Sequence, residues 1–331
     1  MKVLFIGGAG NISSACVELA LELGWDVTVL TRTVHACSFQ RRVDWKTGDR
    51  SDAAFLCRLA RETRFDVVCE FIGFHPADVE LDLNAFSGQV GQYLFISSAT
   101  VYQKPPKSYI IREDTPLENP FWDYAREKIA CENLLTKAHR ESRFPATIVR
   151  PSYTYGPTWI PAGVGGPAYT YVYRMRKGLP VISHGDGQSL WTMTHNTDFA
   201  QAFVGLFGAA SAIGEAFHIT SDEVLTWDQI YEAMGRAAGA APRIIHLPSE
   251  VIAHKHPEWG PGLIGDKRFS VVFDNSKVKR VVPGFKAKVT WSEGIARSIA
   301  WHDADPARQQ PNAEANKVMD ELVELHAALM R

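Results

Sequence analysis

Lys2-Val3-Leu4-Phe5-Ile6-Gly7-Gly8-Ala9-Gly10-Asn11-Ile12-Ser13 opens the chain, and its reading decides the fold. The apolar run makes a short strand, and Gly7 follows it without a spacer. From Ser14 to Leu23 the residues Cys16, Val17, Ala20 and Leu21 recur at helical spacing. Gly24-Trp25 breaks the helix, and Asp26-Val27-Thr28-Val29-Leu30 makes a second strand. Strand, glycine turn, helix and strand in this order form the unit that binds a dinucleotide. Gly7 permits the tight turn, Gly10 lets the backbone approach a pyrophosphate, and the helix-start amides face its negative charge. An ordinary glycine-rich turn is the plain alternative. Its position directly after the first strand speaks against that reading, and so does a second motif further along.

That motif is Tyr124-Ala125-Arg126-Glu127-Lys128, preceded by Phe95-Ile96-Ser97-Ser98-Ala99-Thr100-Val101-Tyr102. Residues four apart on a helix share a face, so Tyr124 and Lys128 point to one site. A phenol with its ordinary pKa of about 10 is a poor base near neutrality, and a neighbouring ammonium lowers that value. Ser98 ends an apolar run that reads as a buried strand, where its hydroxyl can hold the same substrate oxygen. A lone Tyr-x-x-x-Lys is common by chance; the glycine turn gives this one its weight.

The first half continues as strand and helix in alternation. Val43–Lys46 is a strand, Ser51–Arg64 a helix, Asp66–Ile72 the fourth strand and Asp78–Phe86 an amphipathic segment. Gln92–Ile96 is the fifth strand, the Tyr124 helix runs to about His139, and Ala146–Val149 is a sixth strand. This pattern predicts an α/β fold of Rossmann type: a doubly wound parallel sheet with ligands at the carboxyl ends of its strands. From Gly156 the pattern becomes mixed, with a glycine- and proline-rich loop or lid at Trp159–Pro167. Helices are expected at Thr197–Gly208, Thr226–Ala238 and Ala313–Met330, and a strand near Phe217–Ile219. Residues 1–155 therefore read as an NAD(P)-binding domain to which some later segments return. Residues 156–331 read as a smaller, mixed α/β substrate-binding lobe.

On these motifs the chain resembles the extended short-chain dehydrogenase/reductase superfamily, in its branch of NAD-dependent epimerases and dehydratases. The resemblance covers nearly the whole length. It also rests on Arg150-Pro151-Ser152-Tyr153-Thr154-Tyr155-Gly156-Pro157, His184-Gly185-Asp186-Gly187, the stretch His195–Ala200 and Gly214–Ile219. Gln103-Lys104-Pro105-Pro106 and Asn119-Pro120-Phe121-Trp122 are similar to a subgroup that includes the chloroplast stem-loop-binding proteins. The resemblance implies Ser98, Tyr124 and Lys128 as the catalytic set. Lys128 then holds the cofactor ribose, and Thr100 assists Ser98. Around the cofactor it implies Gly7, Gly10, Asn11, Ile12, Thr31, Arg32, Asp49, Arg50, Ile72, Gly73, Ser97 and Pro151, with Asp49 on the adenine amino group.

The second strand ends in Thr31-Arg32, where NAD-preferring members usually carry an acidic ribose clamp. A guanidinium matches phosphate geometry, so NADP is favoured over NAD. Trp122 and Tyr153 are candidates to stack on a sugar or base, although aromatics in apolar surroundings are at least as often core. His195 and His218 fall where the family lines its substrate pocket; a satisfied buried histidine is the commoner reading of such residues. His218 stands where nucleotide-sugar members frequently have asparagine, which weakens a uridine or thymidine diphosphate sugar as substrate.

Composition sets the limits. The 331 residues suffice for an ample core, and 46% apolar with 22% charged residues is ordinary for a globular protein. A net charge of −2 gives no electrostatic reason to expect nucleic acid or an anionic membrane as partner. Arg41-Arg42 and Lys277-Val278-Lys279-Arg280 read as solvated faces. Cys16, Cys37, Cys57, Cys69 and Cys131 form no Cys-x-x-Cys pair, so free thiols in a reducing cytoplasm are expected and no metal is. No run approaches membrane-spanning length. The expected protein is an epimerase or oxidoreductase acting on a secondary hydroxyl of a sugar or nucleotide sugar. A net NADP-dependent dehydrogenase or reductase of a non-nucleotide alcohol or ketone remains open. So do a non-catalytic RNA-binding or regulatory protein on the same scaffold, and a homodimer.

Overall fold

The computed structural model describes residues 1–34 and 37–331. At its centre β1 (Lys2–Ile6) pairs with β2 (Asp26–Thr31) on one side and β4 (Phe65–Glu70) on the other. Among the described residues the sheet has seven strands. Their order is Ala216–Ile219, Ala146–Pro151, β5 (Val90–Ile96), β4, β1, β2 and β3 (Asp44–Thr47). Every neighbouring pair is parallel. The strand order reverses between β1 and β4, the place where an open parallel sheet leaves a crevice at its carboxyl edge.

Period-two alternation sorts β1 between two cores. Val3 and Phe5, with Val27 and Val29, face α1 (Ser13–Glu22) and the helix Asn196–Gly205 through Cys16, Val17, Phe199 and Phe203. Leu4, Ile6 and Leu30 face the other side. There they meet Leu56 of α2 (Ala53–Glu62), Val79 of α3 (Pro76–Phe86) and Leu135 of α4 (Asp123–Ser142). Each fully buried side chain of this size contributes about 1.5–3 kcal/mol. The strand is buried on both faces, so its apolar run is continuous rather than alternating.

Element boundaries differ from expectation for local reasons. α2 starts at Ala53 rather than Ser51 because Asp52 caps it, accepting from Phe55 N, while Asp49 Oδ1 accepts from Ser51 N. β4 stops at Glu70 rather than Ile72 because the Glu70 carboxylate accepts from Ile72 N and turns the chain. α4 continues to Ser142, since nothing near His139 stops a helix, and ends where Arg143 takes a left-handed φ of 57°.

Residues after Gly156 build a third core from Tyr171, Trp191, Trp227, Trp291 and Met319, which also takes in Tyr155. The stretch expected as a lid belongs to it. Ile160, Ala162 and Val164 are buried there, Gly163 N donates to Tyr231 Oη at 3.0 Å, and Tyr153 Oη donates to Ala162 O at 3.0 Å. Trp159–Pro167 is a loop, but an anchored one. Among the described residues no helix is long and apolar enough to cross a membrane. All five cysteines are free.

Gly294, in the helix Trp291–Asp303, packs so closely on Tyr155 that a Cβ would overlap the Tyr155 hydroxyl. That hydroxyl is buried and has no hydrogen-bond partner. Gly294→Ala is therefore expected to lower unfolding free energy by about 1–3 kcal/mol. Tyr155→Phe should be neutral or stabilising and should recover part of that loss in the double variant, because the ring Cζ would still lie 2.7 Å from the new Cβ. Denaturant titrations of the three variants check this; equal losses in the single and double variants would refute the overlap.

Candidate active site

The turn after β1 holds its shape through side chains as well as glycines. Gly7 has a φ of 84°, and a Cβ there would lie 2.6 Å from Ile72 Cγ2, so only glycine fits. Ser13 Oγ donates to Gly7 O at 2.7 Å and accepts from Gly10 N at 2.9 Å. Asn11 reaches across the molecule: its Nδ2 donates to Thr154 O at 3.1 Å, and its own carbonyl accepts from Asn196 Nδ2 at 2.8 Å. Asn11 Oδ1 is left buried without a partner. The Ser14 amide already donates to Gly10 O at 3.0 Å, and the positive end of α1 at this turn suits an anion. Ile12 is the residue before α1.

A cleft of about 530 Å³ opens over this turn, walled by Gly7, Gly10, Thr31, Arg32, Asp49 and Ile72. Arg32 is exposed there and, among the described residues, makes no ion pair. Thr31 Oγ1 donates to Thr33 O, and Asp49 uses Oδ1 to accept from the Ser51 amide and hydroxyl. Backbone approach at the turn, the helix N-terminus and a guanidinium without an ion pair among the described residues make a donor set that fits a dinucleotide with its phosphates.

A second cleft of about 410 Å³ contains Ser98, Thr100, Trp122, Tyr124, Pro151 and Tyr153. It adjoins the first where the Phe74 and Tyr124 rings lie 6.5 Å apart. Ser98 lies two residues beyond the end of β5 and caps the turn Ala99–Val101. Its Oγ accepts from Thr100 N at 3.2 Å and from Thr100 Oγ1 at 3.0 Å. With both acceptor positions filled from Thr100, the Ser98 proton is free to donate to an oxygen in the cleft.

Tyr124 and Lys128 occupy successive turns of α4, and Lys128 lies on its buried stripe with Ala125, Cys131, Glu132 and Leu135. A lysine on a core stripe needs partners, and it finds them. Its Nζ donates to Gly73 O and to Ile96 O, each at 2.7 Å, and lies over the rings of Phe95 and Phe74. Burial pulls this ammonium down to about 8. The expected lowering of the Tyr124 phenol by Lys128 is not what this geometry gives. Burial raises the phenol, and the opposing influence is the Ser98 hydroxyl. The ammonium is committed to two carbonyls, 5.9 Å from the phenol ring centre.

One expected site residue lines its cleft with its charge already engaged, and three are placed elsewhere. Arg50 borders the first cleft, but its guanidinium is held by Asp78 at 2.6 Å, Asp82 at 2.8 Å and Glu70 at 3.3 Å. The Ser97 hydroxyl is buried and donates to Glu132, which also pairs with Arg150 at 2.6 Å. His195 does not line the second cleft; it caps the helix Asn196–Gly205 and packs edge-on against Tyr155. His218 lies within the sheet. Its Nε2 is 2.9 Å from Asp274 O and must donate, so its Nδ1 accepts from Tyr102 Oη at 3.0 Å. Burial pushes both imidazoles down to about 4, which keeps them neutral. His218 is a satisfied buried histidine, the commoner reading of its type, whereas His195 is a core histidine whose Nε2 is buried without a partner. Conversely, Phe74, Trp159, Trp191, Asp266 and Lys267 border the clefts with no motif spacing to announce them.

The carboxylates around Arg50 outnumber its charge. Burial, with Asp82 adding to it, pushes Glu70 up to about 8. A carboxyl whose folded pKa exceeds its unfolded value of about 4.3 binds its proton more tightly when folded. The stability it contributes is fully present below about pH 4 and lost as pH rises through about 8. Wild-type unfolding free energy should therefore fall between about pH 6 and pH 8, and Glu70→Gln should flatten that fall. Denaturant midpoints across this range test it; an unchanged slope in the variant would place the titration elsewhere.

Comparison with known proteins agrees with this architecture. The model of the NAD dependent epimerase/dehydratase family matches residues 3–219. The chain is 25% identical over 338 residues to the chloroplast stem-loop binding protein of 41 kDa b from Arabidopsis thaliana, covering 97% of this chain and 84% of that protein. It is 26% identical over 335 residues to dTDP-glucose 4,6-dehydratase of an Actinoplanes species, covering 92% and 98%. The UDP-glucose 4-epimerase of Bifidobacterium longum, solved with NAD+ and UDP, shares the fold with a TM-score of 0.74 at 22% identity, covering 92% and 99%. With the family's match running from β1 through the last strand of the central sheet, the chain belongs to the NAD dependent epimerase/dehydratase family.

Proposed function

We propose that the chain is an NAD(P)-dependent epimerase or oxidoreductase acting on a secondary hydroxyl of a sugar or nucleotide sugar, with epimerisation as its leading reaction. One observation carries this: Ser98 and Tyr124 share a cleft that adjoins the glycine-turn cleft, with Lys128 at the junction. Relatives whose names specify dTDP-glucose and UDP-glucose support a nucleotide sugar. Bound nicotinamide supplies the hydride acceptor. Tyr124 takes the hydroxyl proton, and Ser98, its own proton free, donates to the same oxygen and orients it. In the reverse direction the raised phenol is a competent acid for the carbonyl oxygen. Lys128, with one N–H donor left beyond those given to Gly73 O and Ile96 O, would hold the cofactor ribose at the junction.

Arg32, exposed and without an ion pair beside Thr31, supports NADP over NAD, since a guanidinium suits a 2′-phosphate. A second reading, net oxidation or reduction with cofactor exchange, draws on the anchored Trp159–Pro167 loop. Its buried side chains do not leave it free to close over a retained ketone.

Tyr124→Phe is expected to lose roughly 10²-fold or more in turnover while cofactor affinity stays near wild type. Activity within a few-fold of wild type would reject Tyr124 as the proton-transfer group. Arg32→Ala should weaken NADP more than NAD in paired titrations; equal losses would reject the phosphate role. The reaction itself is read by incubating the enzyme with nucleotide sugars and free sugars in deuterated buffer. Isomerised product without net change at the reduced-nicotinamide absorbance supports epimerisation. Reduced cofactor accumulating with a keto product would turn the assignment to a dehydrogenase.

A further inference from the structure

Lys128 is covered. It is only 1% exposed, and two of its three N–H donors go to Gly73 O and Ile96 O. Three aromatic rings surround the ammonium, with Nζ 4.7 Å from the ring centre of Phe95, 4.9 Å from that of Phe74 and 5.9 Å from that of Tyr124. A ribose hydroxyl that is to accept from the third N–H needs one of these rings to give way. Phe95 is fully buried in β5, and Tyr124 is half-buried on α4 with its ring 5.2 Å from that of Trp122. Phe74 differs from both: it is 43% exposed and walls the first cleft where that cleft meets the second. The backbone around it is pinned at four successive residues. Ile72 N donates to Glu70 Oε1 at 2.5 Å, and Gly73 O accepts from Lys128. Phe74 N and His75 N both donate to Asp78 Oδ2, at 2.8 and 3.0 Å. The freedom left in this link between β4 and α3 is rotation of the Phe74 side chain.

We propose that Phe74 is a movable cover on Lys128, whose ring competes with the nicotinamide ribose for the ammonium and swings aside when the ribose takes the third N–H. The proposal rests on the cofactor reading of the two clefts and adds a residue that opposes binding. The ring holds the ammonium by a cation–π contact, which the ribose must replace. Only the fraction of molecules with the ring aside can receive the ribose, and the apparent affinity for a dinucleotide falls by that fraction. The effect belongs to the nicotinamide end of the cofactor and is therefore equal for NAD and NADP. The phosphate preference proposed for Arg32 acts instead on the adenosine ribose.

The test is a titration of the full chain, freed of bound nucleotide, with NADH and with NADPH, followed by reduced-nicotinamide fluorescence. Phe74→Ala should bind both about 3-fold or more tightly than wild type. Phe74→Trp should bind both more weakly, because an indole holds a cation better than a benzene ring does. In a Lys128→Met background the gain from Phe74→Ala should vanish. Any other order of the three side chains overturns the proposal, and so does a gain that survives Lys128→Met. Alanine weakest and tryptophan tightest would make Phe74 a stacking platform for the cofactor instead of a cover. Should Lys128→Met fail to fold or to bind, the order of alanine, phenylalanine and tryptophan still decides. No saturable binding of either nucleotide to wild type or to Phe74→Ala sinks the cofactor reading and this proposal together. Saturable binding in the wrong order sinks the proposal alone.

Discussion

β1 is buried on both faces, and this constraint governs where everything else can be. Val3 to Ile6 expose no surface, and their backbone groups are spent on β2 and β4. A strand so enclosed offers neither face to a ligand. Only its carboxyl end is accessible, where it runs into Gly7 and the chain must leave the sheet. The turn can pass close to Ile72 because Gly7 has no side chain, and the first cleft opens there. The second cleft follows from the same rule applied two strands along, where β5 ends and Ser98 begins a new turn.

Charge inside this fold is held by partnership. Lys128 is kept by two carbonyls and aromatic faces, Arg150 by Glu132, and Arg50 by Asp78 and Asp82 with the Glu70 carboxyl 3.3 Å away. Removing one partner of a buried pair leaves the other charge stranded, at a cost of about 3–5 kcal/mol. Several of these groups adjoin the clefts: Arg50 walls the first, Glu132 accepts from Ser97, and Lys128 lies at the junction. The site floor is thus a set of fixed charges, and Tyr124 and Ser98 stand at its surface.

Much of this was legible in the sequence because it depends on local rules. The β1 run, Gly7, the α1 periodicity and the Tyr124–Lys128 spacing each report through near neighbours, and they fixed the parallel sheet and the shared cleft. Glu132 follows Lys128 by another helical turn, so the buried stripe itself carried a signal of a second charge. What was not legible depends on contacts far apart in the chain. Nothing near Arg50 reveals that Asp78 and Asp82 will take its guanidinium, and nothing near His218 reveals Tyr102 and Asp274. The carbonyl of Lys267, which borders the second cleft, is held by His184 and Ser189, some eighty residues earlier. The loop at Trp159–Pro167 misled in the same way. Glycines and prolines suggested freedom, while Ile160, Ala162 and Val164 were destined for a core made by later helices.

The reach of Asn11 has a consequence for anyone recombining this enzyme with its relatives. Its amide and carbonyl tie the glycine turn to Thr154 and Asn196. Gly156 leaves room for this knot; a Cβ there would press into Asn196 and come within 3.2 Å of Asn11 Oδ1. The seam between cofactor turn and later chain is therefore a three-way junction rather than a linker. A chimera cut at the apparent change of pattern near Gly156 would join surfaces that never met. One that carries Asn11, Thr154, Gly156 and Asn196 from a single parent would keep the junction whole, wherever else the crossovers fall.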